Sequence, residues 1–122
     1  MKRLPIVIVT LVAAATFGFS LFPRMPGDTL TNKDHRVQKY ALEDFELIAP
    51  KTCKKQWHVT DTAVTKPPTQ SQDEKEPRVL WTKWEELWTI DVCGTALTYS
   101  VSFTKRSGSP IVMVHFKKQP KT

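Results

Sequence analysis

Glycine is scarce in this chain of 122 residues: four in all, and only Gly27, Gly94 and Gly108 follow the apolar N-terminal run. That is too few for a phosphate-cradling loop, whose backbone must approach its ligand at several glycines. Cysteine is limited to Cys53 and Cys93. They stand too far apart for a C-x-x-C redox pair, and neither precedes a histidine as haem attachment requires. His35, His58 and His115 have no ligand-type neighbour at short spacing, so no metal site is expected. A G-x-S-x-G nucleophile elbow is missing, as is any internal repeat. Basic residues are scattered, with pairs at Lys54-Lys55, Lys105-Arg106 and Lys117-Lys118 and no stripe interleaved with aromatics. Nucleic acid is therefore not an expected partner. These absences point to a protein that is not an enzyme and takes no cofactor.

What is present begins at the N-terminus. Lys2 and Arg3 precede an uncharged apolar run from Leu4 to Phe22, closed by Pro23 and Pro26. That pattern is an export signal. Gly18-Phe19-Ser20 supplies a small-x-small cleavage pattern, so residues 1–20 are expected to be removed. Left uncut, the run to about residue 22 approaches the roughly 20 residues that span a bilayer, and it would anchor the chain in the inner membrane. No cysteine follows the run, which excludes a lipoprotein anchor. Residues 21–31 read as a linker, and 32–118 as one small domain in the periplasm or outside the cell. Setting Lys2 and Arg3 aside takes eighteen basic residues to sixteen against twelve acidic ones, a net charge of +4. In an oxidising compartment two cysteines read as one disulfide, Cys53–Cys93.

Leu30, Val37, Tyr40, Ala41, Phe45 and Ile48 recur at spacings of three and four, which predicts a helix from about 32 to 45 with Thr31 and Asp34 as a capping box. Pro50 stops it. Residues 54–64, KKQWHVTDTAV, read as a strand. The Pro-rich stretch 65–78, TKPPTQSQDEKEPR, reads as a mobile loop. Three strands follow. A two-residue turn at Gly94-Thr95 pairs Val92 with Leu97, Ile90 with Tyr99 and Trp88 with Val101. A second turn at 106–109 sets Phe103 against Val112 and Val101 against Val114. The core face of the sheet is then Trp88, Ile90, Val92, Leu97, Tyr99, Val101, Phe103, Val112, Val114 and Phe116. The expected fold is α+β: one helix on a four-stranded, mostly antiparallel sheet ending in a three-stranded meander.

Cys53 before a strand, then WEELWTIDVCG and a meander, resembles uncharacterised families of small exported bacterial proteins over roughly residues 35–116. The resemblance carries no function and no site residue.

Trp81, Trp84 and Trp88 share the aromatic stretch WTKWEELWTIDVCG with Glu85 and Glu86, which read as charges solvating the strand entrance. Trp88 belongs to the core. Trp81 and Trp84 at the mouth of the strand, with Leu87, Ile111 and Met113 on the face away from the helix, are the candidate partner contacts. The expected function is a binding or accessory module of a bacterial envelope complex with a protein partner. The alternative is an inhibitor or immunity protein against an exported hydrolase, using the 65–78 loop as a plug.

Overall fold

A computed structural model of the chain describes residues 24–53 and 56–120. The signal or anchor reading of the N-terminus and the Lys54-Lys55 pair lie outside the described residues. A 3-10 turn, Leu30–Lys33, leads into α1 (His35–Ile48), and a second 3-10 turn, Lys51–Cys53, leads into the sheet. Strands β1 (Trp57–Gln72), β2 (Leu80–Val92), β3 (Thr95–Arg106) and β4 (Val112–Lys118) form one antiparallel meander in the order β1-β2-β3-β4. The fold is α+β, with one helix on a four-stranded sheet.

The helix starts three residues later than its apolar spacing implies. Asp34 is extended, and its carboxylate accepts the backbone N–H groups of Arg36 at 3.1 Å and Val37 at 3.3 Å. That is an N-cap, which satisfies donors a helix cannot satisfy internally. Thr29 caps the preceding 3-10 turn in the same way, accepting from Thr31 N–H. Ala49, extended ahead of Pro50, ends the helix.

Within the stretch expected to be a linker, residues 25–31 are packed onto the domain. Met25, Thr29 and Thr31 are all buried, Thr31 completely. Thr62 donates its hydroxyl to the Pro26 carbonyl at 2.6 Å and accepts the Thr29 N–H at 3.1 Å, while its own carbonyl accepts the Asp28 N–H at 3.2 Å. Gly27 has φ +82, and a Cβ there would overlap the backbone of Thr62. Only glycine allows this close a seat beside β1.

The expected mobile loop is also corrected. β1 runs through Pro67 and Pro68 to Gln72, leaving only residues 73–79 as the connection to β2. Proline cannot donate to a ladder, but β1 is an edge strand and its register shifts between Val64 and Lys66 and again between Lys66 and Thr69. Edges and bulges are where a strand tolerates proline.

Both later hairpins keep the expected face and move the register by two residues. Val92 pairs with Thr95, Ile90 with Leu97 and Trp88 with Tyr99, so the turn is Cys93-Gly94 rather than Gly94-Thr95. Both turn residues have positive φ, 52 and 86, the type I′ geometry that matches strand twist. In the next pair Phe103 faces Val114 and Val101 faces Phe116. A shift of two preserves which side chains point inward, whereas a shift of one would reverse them.

All ten expected core positions belong to the cluster between sheet and helix. Phe45, wholly buried, centres the helix side: its ring lies 4.7 Å from Trp57, 5.2 Å from Tyr99 and 5.3 Å from Phe116. Cys53 and Cys93 are bridged, with Cα atoms 5.7 Å apart. The bridge ties the approach to β1 to the β2–β3 turn, and the Cys93 N–H donates to the Gln56 carbonyl at 3.1 Å beside it. Among the described residues no helix is long and apolar enough to cross a membrane.

Candidate functional site

Alternation along β2 divides its side chains between two environments. Trp84, Glu86 and Trp88 point to the helix side; Trp81, Lys83, Glu85 and Leu87 point away. The inner set holds an unforeseen feature. Glu86 is fully buried, not solvating the strand entrance. Its Oε1 accepts the Trp88 indole N–H at 2.8 Å. Oε2 accepts the Trp84 indole N–H at 2.9 Å and the backbone N–H of Leu30 at 3.1 Å. A buried carboxylate is tolerable only when its oxygens are satisfied. These three donors do so, and at the same time they hold the 3-10 turn onto the sheet. Trp84 is buried as well, stacked on Phe103 with ring centres 4.7 Å apart and planes 7° from parallel. It is thereby withdrawn from the surface where it was expected to meet a partner.

The outer set builds the candidate surface. Strand pairing lays side chains in rows across the face: Ser71, Trp81 and Arg106; then Thr69, Lys83, Thr104 and Met113; then Lys66, Glu85, Ser102 and His115; then Ala63, Leu87, Ser100 and Lys117. The helix lies on the opposite side of the sheet. Ile111 is 61 % exposed and Met113 57 %, while Leu87 is at 37 %. Trp81, half-buried, joins Ile111, Met113, Thr104, Ser109 and Arg106 around a shallow socket of about 180 Å³. Beside it runs a groove of about 260 Å³ bordered by Lys66, Lys83, Glu85, Ser102 and Thr104. The surface therefore offers an apolar socket of side-chain size with a guanidinium at its rim, and a shelf of hydroxyls and ammonium groups. That arrangement suits the binding of an apolar side chain flanked by polar groups.

Three ion pairs set the local electrostatics among the described residues, one of them Arg106 with Glu76 at 3.6 Å beside the socket. On the outer face Lys66 Nζ lies 2.8 Å from Glu85 Oε2. The hydrogen bond from Lys66 holds the Glu85 carboxyl below its ordinary range, and Glu85 in turn raises the Lys66 ammonium. On the inner side Lys105 Nζ lies 3.0 Å from Asp34 Oδ2. Burial pushes the Asp34 carboxyl up, but the bonds from Lys105 and from the Val37 and Arg36 N–H groups outweigh it, and the net shift is downward. Tyr99 is raised by burial alone.

Of the candidate contacts, Trp81, Leu87, Ile111 and Met113 thus share one face, and Trp84 lies behind it. Trp57 and Val59 pair with Val92 and Ile90 and face the core, so β1 adds neither to this surface. Among the described residues no group of three or more histidine, cysteine, aspartate or glutamate side chains is placed to hold a metal ion. The signal for Glu86 was available in W-E-E-L-W itself. Position 86 has the parity of 84 and 88, and a buried indole N–H requires an acceptor. No family model, curated protein or solved structure matches the chain.

Proposed function

We propose that this protein is a non-enzymatic binding or accessory module that works outside the cytoplasm in a bacterial envelope complex, with the outer sheet face as its contact surface. The observation that carries the reading is the apolar cluster of Trp81, Ile111 and Met113 left open on a sheet whose other face carries the helix and the core. Contiguous apolar side chains rimmed by polar ones mark interaction sites, and tryptophan and arginine are favoured at their centres. The Cys53–Cys93 bridge fits an oxidising compartment. The apolar run after Lys2 and Arg3 supports the same location.

Affinity capture of the full chain from its native envelope tests the reading, with Ile111→Asp and Met113→Asp as paired controls. A partner retained by the wild type and lost by both variants is the expected result. Equal recovery with all three, or no specific partner, would defeat it.

A second reading, an inhibitor or immunity protein, draws support from the ordered tip of the β1–β2 hairpin. There Asp73 N–H donates to Val79 O at 2.9 Å, Val79 N–H to Glu76 O at 2.8 Å, and Glu76 meets Arg106 at 3.6 Å. Loss of a hydrolase partner on replacing residues 74–78 by glycine and serine, with the outer face untouched, would favour that reading over the first.

A further inference from the structure

The meander leaves two sheet edges, and the chain treats them differently. Along β1 the segment from Pro26 to Thr29 is bonded to Thr62, and Asp28 Oδ1 accepts the Val64 N–H at 3.1 Å. Pro67 and Pro68 and two register shifts interrupt the rest of that edge. These are the devices by which proteins blunt an edge strand. β4 carries neither proline nor register shift.

The register shows which backbone groups of β4 are free. Gln119 N–H donates to Thr98 O at 2.8 Å, one step beyond the Tyr99–Lys118 pair and in the same register. In an antiparallel ladder hydrogen-bonded and non-bonded pairs alternate. Lys117, His115 and Met113 therefore bond to β3, whereas Val112, Val114, Phe116 and Lys118 aim their N–H and C=O groups outward. Among the described residues no turn, loop or cap backbone group bonds to that row.

Cations frame it at both ends. Lys117 and Lys118 close the strand, and at its start Arg36 and Lys39 of α1 border a hollow with Tyr40, Glu43 and Pro110. Glu43 is the lone carboxylate in that hollow. The described ion pairs fall elsewhere, at Lys66–Glu85, Lys105–Asp34 and Arg106–Glu76. Positive charge of this kind opposes pairing with a second copy and favours a strand of opposite sign.

We propose that the free edge of β4 accepts an extended, acidic peptide segment of a protein partner as a fifth strand of the sheet. The inference rests on the binding-module reading and names the partner's chemistry: alternating residues, carboxylates near both ends, and a backbone able to pair with Val112, Val114, Phe116 and Lys118. Main-chain bonds supply affinity in such strand addition, and flanking side chains select the partner.

The test uses the full chain in detergent with a ten-residue peptide alternating valine and glutamate, and a valine–lysine peptide as control. Amide exchange should be fast at Val114 and Phe116 in the free protein and slow once the glutamate peptide is added, with Met113 and His115 slow throughout. Lys117→Glu with Lys118→Glu should weaken binding at least tenfold at low salt. Val114→Pro removes an outward N–H without removing a bond to β3, and it should abolish binding. Should that variant melt much lower than the wild type, the charge-reversal pair decides. Unchanged exchange at Val114 and Phe116 with millimolar glutamate peptide overturns the proposal, as does equal binding of the lysine peptide. Binding to phosphatidylglycerol vesicles with no response to the glutamate peptide also overturns it. The envelope capture with Ile111→Asp and Met113→Asp reads the other face, so failure at the edge and failure of the module reading are told apart.

Discussion

Glu86 and Trp88, two residues apart on β2, meet inside the core, with the indole N–H 2.8 Å from the carboxylate and both side chains fully buried. The same carboxylate reaches Trp84 and the backbone of Leu30. One acidic side chain therefore joins the tryptophan-rich strand to the segment that enters the domain.

Replacing that carboxylate should be costly in a graded way. Glu86→Gln keeps one oxygen but turns an amide donor toward an indole N–H, at about 1–3 kcal/mol. Glu86→Ala leaves two buried indole N–H groups and the part-buried Leu30 N–H unpaired and opens a cavity, so it should lose more than Glu86→Gln. Urea unfolding at neutral pH measures both, and a neutral alanine variant would show that the network is not formed.

Gly27 and Gly94 make a contrasting pair. Both have positive φ, but a Cβ at Gly94 meets nothing within 4 Å, whereas one at Gly27 overlaps Thr62. Gly94→Ala should cost roughly 1–2 kcal/mol, the strain of an L-residue in the left-handed region. Gly27→Ala should cost more, because the segment must leave its seat on β1. Its signature is faster amide exchange at Asp28, Thr29 and Val64, and equal losses in the two variants would count against that seat.

Cys93→Ser removes a bridge spanning a sequence separation of 40. A loss of about 2–4 kcal/mol is expected, visible as a lower melting temperature under non-reducing conditions. An unchanged melt would mean the bond contributes nothing in solution.

The Asp34–Lys105 pair fixes the direction of one pH effect. The folded carboxyl lies below its ordinary value of 3.8. Its contribution to stability is therefore present above that value and fades as pH falls through the lowered one. Lys105→Met should be less stable than the wild type at neutral pH by under about 1 kcal/mol, since the pair is partly exposed. The difference should shrink in acid and in high salt. A difference that grew on acidification would reverse the assignment.

Trp88→Ala tests the packing that the hairpin imposes. Trp88 is wholly buried and contacts Phe103 and Phe116. Truncation should cost about 3–5 kcal/mol in chemical denaturation, and near-neutral behaviour would contradict the register.

Much of this architecture was legible in the chain. Alternation from Trp88 to Phe116 identified the inward face, and Cys53 and Cys93 allowed only one pairing within a monomer. The two-residue errors in register have separate causes: the Cys93-Gly94 turn requires positive φ at a cysteine, which its side chain does not advertise, and the β3–β4 connection runs over residues 107–111, longer than a turn at 106–109. Pro67 and Pro68 argued for a loop because proline weakens a strand, and only the position of β1 at the edge makes them acceptable. The charge of Glu86 argues for solvent, but its parity with Trp84 and Trp88 places it inside. Trp84 followed it inward for the same geometric reason, leaving Trp81, Leu87, Ile111 and Met113 as the exposed remainder.

The central claim, that the outer sheet face meets a partner, is tested most directly by site-specific photo-crosslinking in intact cells. The crosslinker would stand at Met113 in one chain and at Leu47, an equally apolar residue 75 % exposed on α1, in another. The account predicts a discrete protein adduct from Met113 and none from Leu47. No adduct from Met113, or the same adduct from both positions, would contradict it.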